Sequence, residues 1–219
     1  MAMRSAFEEE LHNLHLRFSE MGMMVNESIL KSVKAFVNHD KELAREVIEE
    51  DKRINRRETD LEKSSFELIA LQQPVTTDLR MIVTVLKASS DLERMGDHAV
   101  SIANATIEVK GKERIPEAEE LIAKMGDSAR QIVENTLDAY LKEDSERAEA
   151  IAKEDDVIDE FARKISDLCI IKMKENSETI IGGTSYMLVA SYLERIGDYA
   201  TNICEWVVYL KTGHVVELD

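Results

Sequence analysis

The sequence predicts an all-α protein of six long antiparallel helices, arranged as two tandem three-helix bundles. Three observations predict it. The composition suits long helices, with 2 prolines, 8 glycines and 5% aromatics among 219 residues otherwise rich in Glu, Lys, Leu, Ala, Ile and Met. Strand signals are almost absent. The chain also repeats itself. A slide of 104 sets Met21 to Asn55 on Met125 to Asp159, matching Met21-Gly22 with Met125-Gly126, Ala35 with Ala139, Asp40 with Asp144 and Glu50-Asp51 with Glu154-Asp155. A slide of 101 sets "DLERMGDHAV" (Asp91 to Val100) on "YLERIGDYAT" (Tyr192 to Thr201). The difference between the two offsets is absorbed near the turns "QQPVTTD" and "ENSETIIGGTS", where loops tolerate insertions. The units are expected at 1–112 and 113–219.

The first helix is predicted from about Ala6 to Val37 and ends at Asn38-His39. Asp40 is a good N-cap for the second, whose apolar face begins with Leu43 and Val47. That helix runs to about Gln72, where Pro74 stops it, because proline lacks the N–H and disfavours a helical residue before it. The third begins near Thr76 or Thr77 and reaches Val109, and Gly111 and Pro116 break the chain between the units. The second unit repeats the plan over Glu117 to Leu141, Ser145 to Lys174 and Thr184 to Leu210, with "IGGTS" read as a turn.

Charge excludes several functions. The 44 acidic side chains outnumber 28 basic ones, and a net charge of −16 repels phosphate backbones and anionic lipid. Direct nucleic-acid binding is not expected. The basic run Lys52-Arg53 with Arg56-Arg57 is flanked by Glu49, Glu50, Asp51 and Glu58 and reads as a solvated helix face. No apolar run approaches the roughly 20 residues that span a bilayer, and no signal-peptide pattern follows Met1, so the reading is a cytoplasmic protein without membrane insertion. Cys169 and Cys204 sit in apolar helical stretches without a CxxC and read as core. Met21, Met23 and Met24, near Phe18, are read as core rather than as an adaptable docking patch.

The hexapeptide written twice carries the chemistry. Glu93 and Asp97 lie one helical turn and about 40° apart on the third helix. Met81, Val85, Leu92, Ala99, Ala103 and Thr106 form its core stripe, whereas Arg80, Lys87, Asp91 and His98 lie opposite and are expected to meet solvent. Glu93 and Asp97 fall between, on a mostly apolar strip shared with Leu79, Ile82, Leu86, Val100 and Asn104. Glu194 and Asp198 repeat this in the second unit. Two carboxylates about 5.5 Å apart at an effective dielectric near 20 repel by about 3 kcal/mol, so a proton, a cation or an arginine must answer them. Arg94 and Arg195 point away from the strip. On the second helix Asp155 and Asp159 again stand four apart, and Asp51 stands before Asn55, with Glu58 and Glu62 continuing the strip. With Pro74 as a hairpin, Asp51 comes level with Glu93 and Asp97. Four oxygen donors then converge from two helices, a set that suits Mg, Mn, Fe or Zn. Gly96 and Gly197, inside the helices, point to close approach of a neighbour.

Asp78-Leu79-Arg80, Leu86-Lys87, "DLERMGDHAVSIA" and the second "YLERIGDYATNI" together resemble the PhoU family of cytoplasmic regulators of phosphate uptake. The resemblance covers essentially the whole chain. It implies a six-helix protein of two PhoU repeats whose ExxxD motifs hold surface metal ions, sometimes multinuclear iron or zinc. It implies that Glu93, Asp97, Glu194 and Asp198 are motif ligands, assisted by Asp51, Asp155 and Asp159. It also implies a negative regulator that docks on the ATPase subunit of the phosphate ABC transporter and, in many bacteria, relays transporter state to a membrane sensor histidine kinase. Two departures bear on this: Asn55 stands where the second unit has Asp159, and the second unit lacks the Asp-Leu-Arg run. The halves are therefore expected to bind metal unequally.

Two other classes stay open on sequence alone. One is a carboxylate-bridged metal oxidase or hydrolase. Against it, only one of the five histidines, His12, stands three after a Glu (Glu9), where bundle di-metal sites require such a pair on each of two helices, and no HExxH, Walker or GxSxG motif occurs. The other is a helical scaffold whose acids only solubilise it. A homodimer is compatible with the sequence, and nothing in the spacing demands it.

Overall fold

The computed structural model describes residues 2–109 and 111–218, and the side chains from residue 7 onward. It contains helices α1 (Ala2–Asn38), α2 (Lys41–Gln72), α3 (Thr76–Val109), α4 (Pro116–Lys142), α5 (Ser145–Ala152), α6 (Asp156–Glu175) and α7 (Ile180–Thr212), with a 3₁₀ turn at Ser177–Thr179. The six expected rods are present, and the fifth is broken into α5 and α6. Between them the amides of Glu154 and Asp155 bond three residues back, to Ile151 and Ala152, and those of Val157 and Ile158 bond to Glu154 and Asp155. This tighter winding replaces the continuous helix expected from Ser145 to Lys174, in a run of three consecutive acids, Glu154 to Asp156.

Local signals in the two units match. The Asp40 carboxylate accepts from the amides of Glu42 and Leu43 at 3.0 and 3.1 Å, and Asp144, its counterpart, accepts from Arg147 at 2.9 Å. Each cap follows a left-handed residue, His39 (φ 53°) or Glu143 (φ 49°), which reverses the chain within one residue. The last helix starts at Ile180, four residues before the expected Thr184. Gly182 and Gly183, read as a turn, are helical, and their missing side chains let this first turn pass against the Glu113 backbone and Met173.

Each unit is a three-helix bundle, but the bundles are not separate. α3 packs on α7 and α1 on α4, both antiparallel, so these four helices enclose one continuous core with α2 flanking one side and α5 and α6 the other. The duplication shows in the packing. Gly22 of α1 admits Leu137 of α4, and the counterpart Gly126 admits Val33; a Cβ on either glycine would overlap that side chain. Phe18 and Met21 belong to the core, Met24 is half-buried, and Met23 is 63% exposed. Cys169 and Cys204 are buried and free, as expected. No helix of the described residues is long and apolar enough to cross a membrane.

Two buried polar contacts tie the units together. Glu119 of α4, 5% exposed, accepts from Tyr186 Oη of α7 (2.7 Å), from His39 Nε2 at the α1–α2 corner (2.9 Å) and from Arg114 Nε in the linker (2.9 Å). Burial alone would raise its pKa, but these donors outweigh it and hold the carboxyl below its usual range. Replacing Glu119 by Ala leaves the Tyr186 and His39 donors without an acceptor while half-exposed Arg114 turns to water, so urea melts are expected to show a loss of about 1–3 kcal/mol. Removing the exposed Glu117–Lys172 pair should leave the midpoint in place.

At the other end of the α1–α4 seam, Tyr140 Oη bonds His15 Nδ1. Burial, with a smaller contribution from His12, lowers the His15 pKa from 6.5 to about 4. The unfolded chain therefore binds the extra proton first. This contribution is complete above pH 6.5 and is lost as the pH falls towards 4, to a limit of about 3 kcal/mol. His15→Gln keeps a hydrogen-bonding group but cannot titrate. The stability difference between wild type and this variant, from denaturant melts, is expected to shift towards the variant between pH 6.5 and 4.

Candidate metal centres on two carboxylate faces

The helix pairs α2–α3 and α6–α7 each bring acids of the repeated motif beside acids of the preceding helix. In the first unit Asp51, Glu93 and Asp97 share one locality. Burial raises the pKa of Asp51 and Glu93, and the Asp97 charge raises both further. Glu58 adds to the repulsion on Glu93, while Glu62 stands beyond Glu58. Asn55 Nδ2 donates to Asp51 Oδ2 at 3.0 Å, which partly offsets that burial.

The second unit is more crowded. Burial together with the charges of Asp198, Asp159, Asp156 and Glu194 pushes Asp155 up to about 7. Glu194 is raised by burial and then by Asp159 and Asp198, with Arg195 opposing. The substitution that distinguishes the halves thus has a physical effect: Asn55 donates a hydrogen bond where Asp159 supplies another negative charge. The structure brings together all seven residues singled out from the sequence, as Asp51, Glu93 and Asp97 on one face and Asp155, Asp159, Glu194 and Asp198 on the other.

The motif glycine sits against the preceding helix in both units. A Cβ on Gly96 would come within 3.3 Å of Asp51 Oδ1, and one on Gly197 would overlap Asp155 Oδ1. Those same two oxygens are buried without a hydrogen-bond partner. Hard oxygen donors of this kind, three or four to a face, fit Mg, Mn, Fe or Zn by chemistry. As they stand, no group of three His, Cys, Asp or Glu side chains among the described residues is set to hold an ion. The faces combine proximity and repulsion, and holding an ion there would require side-chain rotation about these positions.

The strip between the two faces differs from the expected solvent surface. Lys87 is exposed, but Asp91 is buried, His98 is half-buried and Arg80 lies against Gly213. The second unit covers them. Asp91, 8% exposed, is bonded by the Asn202 and Trp206 side chains; burial lifts its pKa to about 6, and these donors with Arg94 oppose the rise. His98 stacks between Tyr192 and Tyr199 at ring distances of 5.7 and 5.8 Å, and the Arg94 guanidinium lies 5.7 Å over Tyr199. A cleft of about 550 Å³ opens beside this strip, lined by Phe66, Asp91, Arg94, Glu205 and Trp206 among others. Tyr192 and Tyr199, seven apart on α7, were the available sequence signal for this covered strip.

Duplicated three-helix units sharing one core, with a repeated acid pair on the third helix of each, define a helical-bundle protein built by internal repetition. The chain belongs to the PhoU family. The PhoU domain matches residues 18–106 and again 122–207, whose starts and ends reproduce the two offsets read from the repeat. The chain is similar to the phosphate-specific transport system accessory protein PhoU homolog of Streptococcus pneumoniae, at 37% identity over 99% of this chain and 100% of that one. It is also similar to PhoU homolog 1 of Thermotoga maritima, at 34% identity over 94% and 89%. Among solved structures it superposes with PhoU of Streptococcus pneumoniae at a TM-score of 0.89 (36% identity, 96% and 99% covered). PhoU of Pseudomonas aeruginosa gives 0.89 as well (30%, 95% and 100%). The family is one of regulatory accessory proteins and is not enzymatic, which sets aside the oxidase or hydrolase reading.

The two glycines offer a direct test of the faces. Gly96→Ala gains helix propensity against a mild contact and is expected within about 1 kcal/mol of wild type. Gly197→Ala drives its methyl into Asp155 and Ile158 and should cost about 1–3 kcal/mol. Thermal or urea melts of the two variants measure the asymmetry.

Proposed function

We propose that this chain is an accessory regulator of a phosphate-specific transport system that works by protein contact, docking on the ATPase subunit of the phosphate ABC transporter and restraining uptake. In this reading a membrane sensor histidine kinase is a second contact through which transporter state reaches gene regulation. The kinship with PhoU accessory proteins over 99% of the chain supports the transport role. The observation that carries the metal reading is the buried, unpartnered carboxylate oxygen facing the motif glycine in both units, Asp51 Oδ1 and Asp155 Oδ1.

In this reading Glu93, Asp97 and Asp51 hold metal on one face, and Glu194, Asp198, Asp155 and Asp159 on the other. A bound cation supplies the positive charge that lets clustered carboxylates remain ionised. The second face, with one more carboxylate, binds more tightly. Its ligation also draws on the α5–α6 break, which leaves Asp155 outside regular helix.

One experiment tests both parts. Protein purified with Mn²⁺, Zn²⁺ or Fe²⁺ is assayed for metal content and for capture of the transporter ATPase subunit, beside Glu93→Ala/Asp97→Ala and Glu194→Ala/Asp198→Ala variants. Each double variant is expected to lose the metal of its own face, with the second-face variant losing the fraction that resists chelator longer. Metal content equal to wild type in both variants removes the metal reading. Failure of the metal-loaded protein to retain the ATPase subunit removes the adaptor reading.

A further inference from the structure

The repeat places related polar groups at the two ends of the α1–α4 seam. The slide of 104 sets His15 on Glu119 and His39 on Glu143, so acid and imidazole exchange places between the units. At one end the pair closes. His39 bonds Glu119, and Arg114 and Tyr186 complete the shell of that carboxylate. At the other end it stays open. His15 bonds Tyr140 through Nδ1, Glu143 stands 3.9 Å from Lys211 in an exposed pair, and the counterpart of Arg114 is Glu10. His15 Nε2 is covered by the protein and has no hydrogen-bond partner. A buried polar atom left in that state calls for a physical reason.

We infer that this end of the seam is a zinc-class site of mixed nitrogen and oxygen donors, built from Glu8, His12, His15 and Glu143. Glu8, His12 and His15 stand at i, i+4 and i+7 and fall within about 60° of the circumference of α1. Two ligands four apart on one helix face is the spacing by which a helix grips zinc. Glu143 enters from the end of α4. All four line one hollow of about 360 Å³. His12 is close enough for its charge to act on His15, and Glu143 close enough to act on Tyr140. Tyr140 supplies the outer contact that orients a ligating imidazole. With its proton on Nδ1, His15 donates to Tyr140 Oη and keeps the Nε2 lone pair for an ion.

The donors select the ion. Two imidazoles with carboxylates favour Zn²⁺, Co²⁺ or Ni²⁺ over Mg²⁺ and Ca²⁺, which take oxygen ligands. This chemistry separates the site from the all-oxygen faces along α3 and α7, and the inference does not rest on metal there. As they stand, no three of these groups meet at one point. Glu8 and His12 are exposed and the Glu143 side chain is 43% exposed, so rotamer changes at the surface are what gather them on His15. An ion held there joins α1 of the first unit to the end of α4 in the second. It does at this end of the seam what the Glu119 network does at the other.

Titration of the tag-free protein with Co²⁺ tests the inference, because four-coordinate cobalt with imidazole ligands absorbs visible light strongly and six-coordinate cobalt among oxygens does so weakly. Wild type is expected to develop the strong band, and Zn²⁺ to abolish it where excess Mg²⁺ does not. His12→Ala, at an exposed position, should fold as wild type and lose the band, whereas the exposed His214→Ala keeps it. Tyr140→Phe installs the residue that the repeat already carries at Phe36 and should weaken cobalt binding about 10–100-fold. Glu93→Ala/Asp97→Ala and Glu194→Ala/Asp198→Ala should keep the band, which distinguishes this site from the carboxylate faces. A wild type that stays colourless overturns the inference. So does a band unchanged by His12→Ala or by Tyr140→Phe, lost from His214→Ala, or lost from either double variant.

Discussion

The structure depends on one constraint: neither three-helix unit can cover its own third helix. A helix on the outside of a bundle buries one stripe and leaves the rest to water. α3 instead packs against α1, α2 and α7, and residues as far apart around its axis as Ile82, Ala88, Asp91 and Met95 are buried. The second unit supplies the missing cover and receives the same from the first. The shared core, the linker network around Glu119 and the placement of both carboxylate faces follow from that exchange.

Because α3 and α7 run antiparallel along this seam, two copies of one hexapeptide come level on either side of it. The seam between them is filled by Tyr192, His98 and Tyr199, with Arg94 over the outer ring. Each arginine belongs to the seam side of its helix and opposes the charge of its neighbouring glutamate only in part. Asp51, Glu93 and Glu194 therefore keep raised pKa values, and Asp155 most of all. Duplication supplied two similar faces, and single substitutions, Asn55 against Asp159, separated their electrostatics.

The same divergence appears on the opposite side of the molecule. α1 and α4 end in matched left-handed residues, lead into matched Asp caps of the next helix and make matched glycine contacts, yet their outer surfaces carry Leu16, Met23 and Leu30 in one and Glu120, Asp127 and Glu134 in the other. Positions that serve the core are held in common, and positions outside it are free to specialise.

The sequence by itself determined the helices, the repeat and the acid faces, because these rest on short-range rules. Apolar periodicity, Asp caps and the Pro74 stop act within a few residues, and a hairpin of known length sets Asp51 level with Glu93 and Asp97. Within that range the misses were the 3₁₀ break at Asp155 and the helical Gly182-Gly183 start, where contacts from α7 and from Glu113 and Met173 shape the backbone. The tertiary structure alone decided how the units meet. A helical wheel places Asp91 and His98 opposite their own core but cannot show that another unit's helix lies there. The hydrophobic effect that drives that docking has no direction along the chain, so the partner face of α3 is fixed only when α7 packs on it.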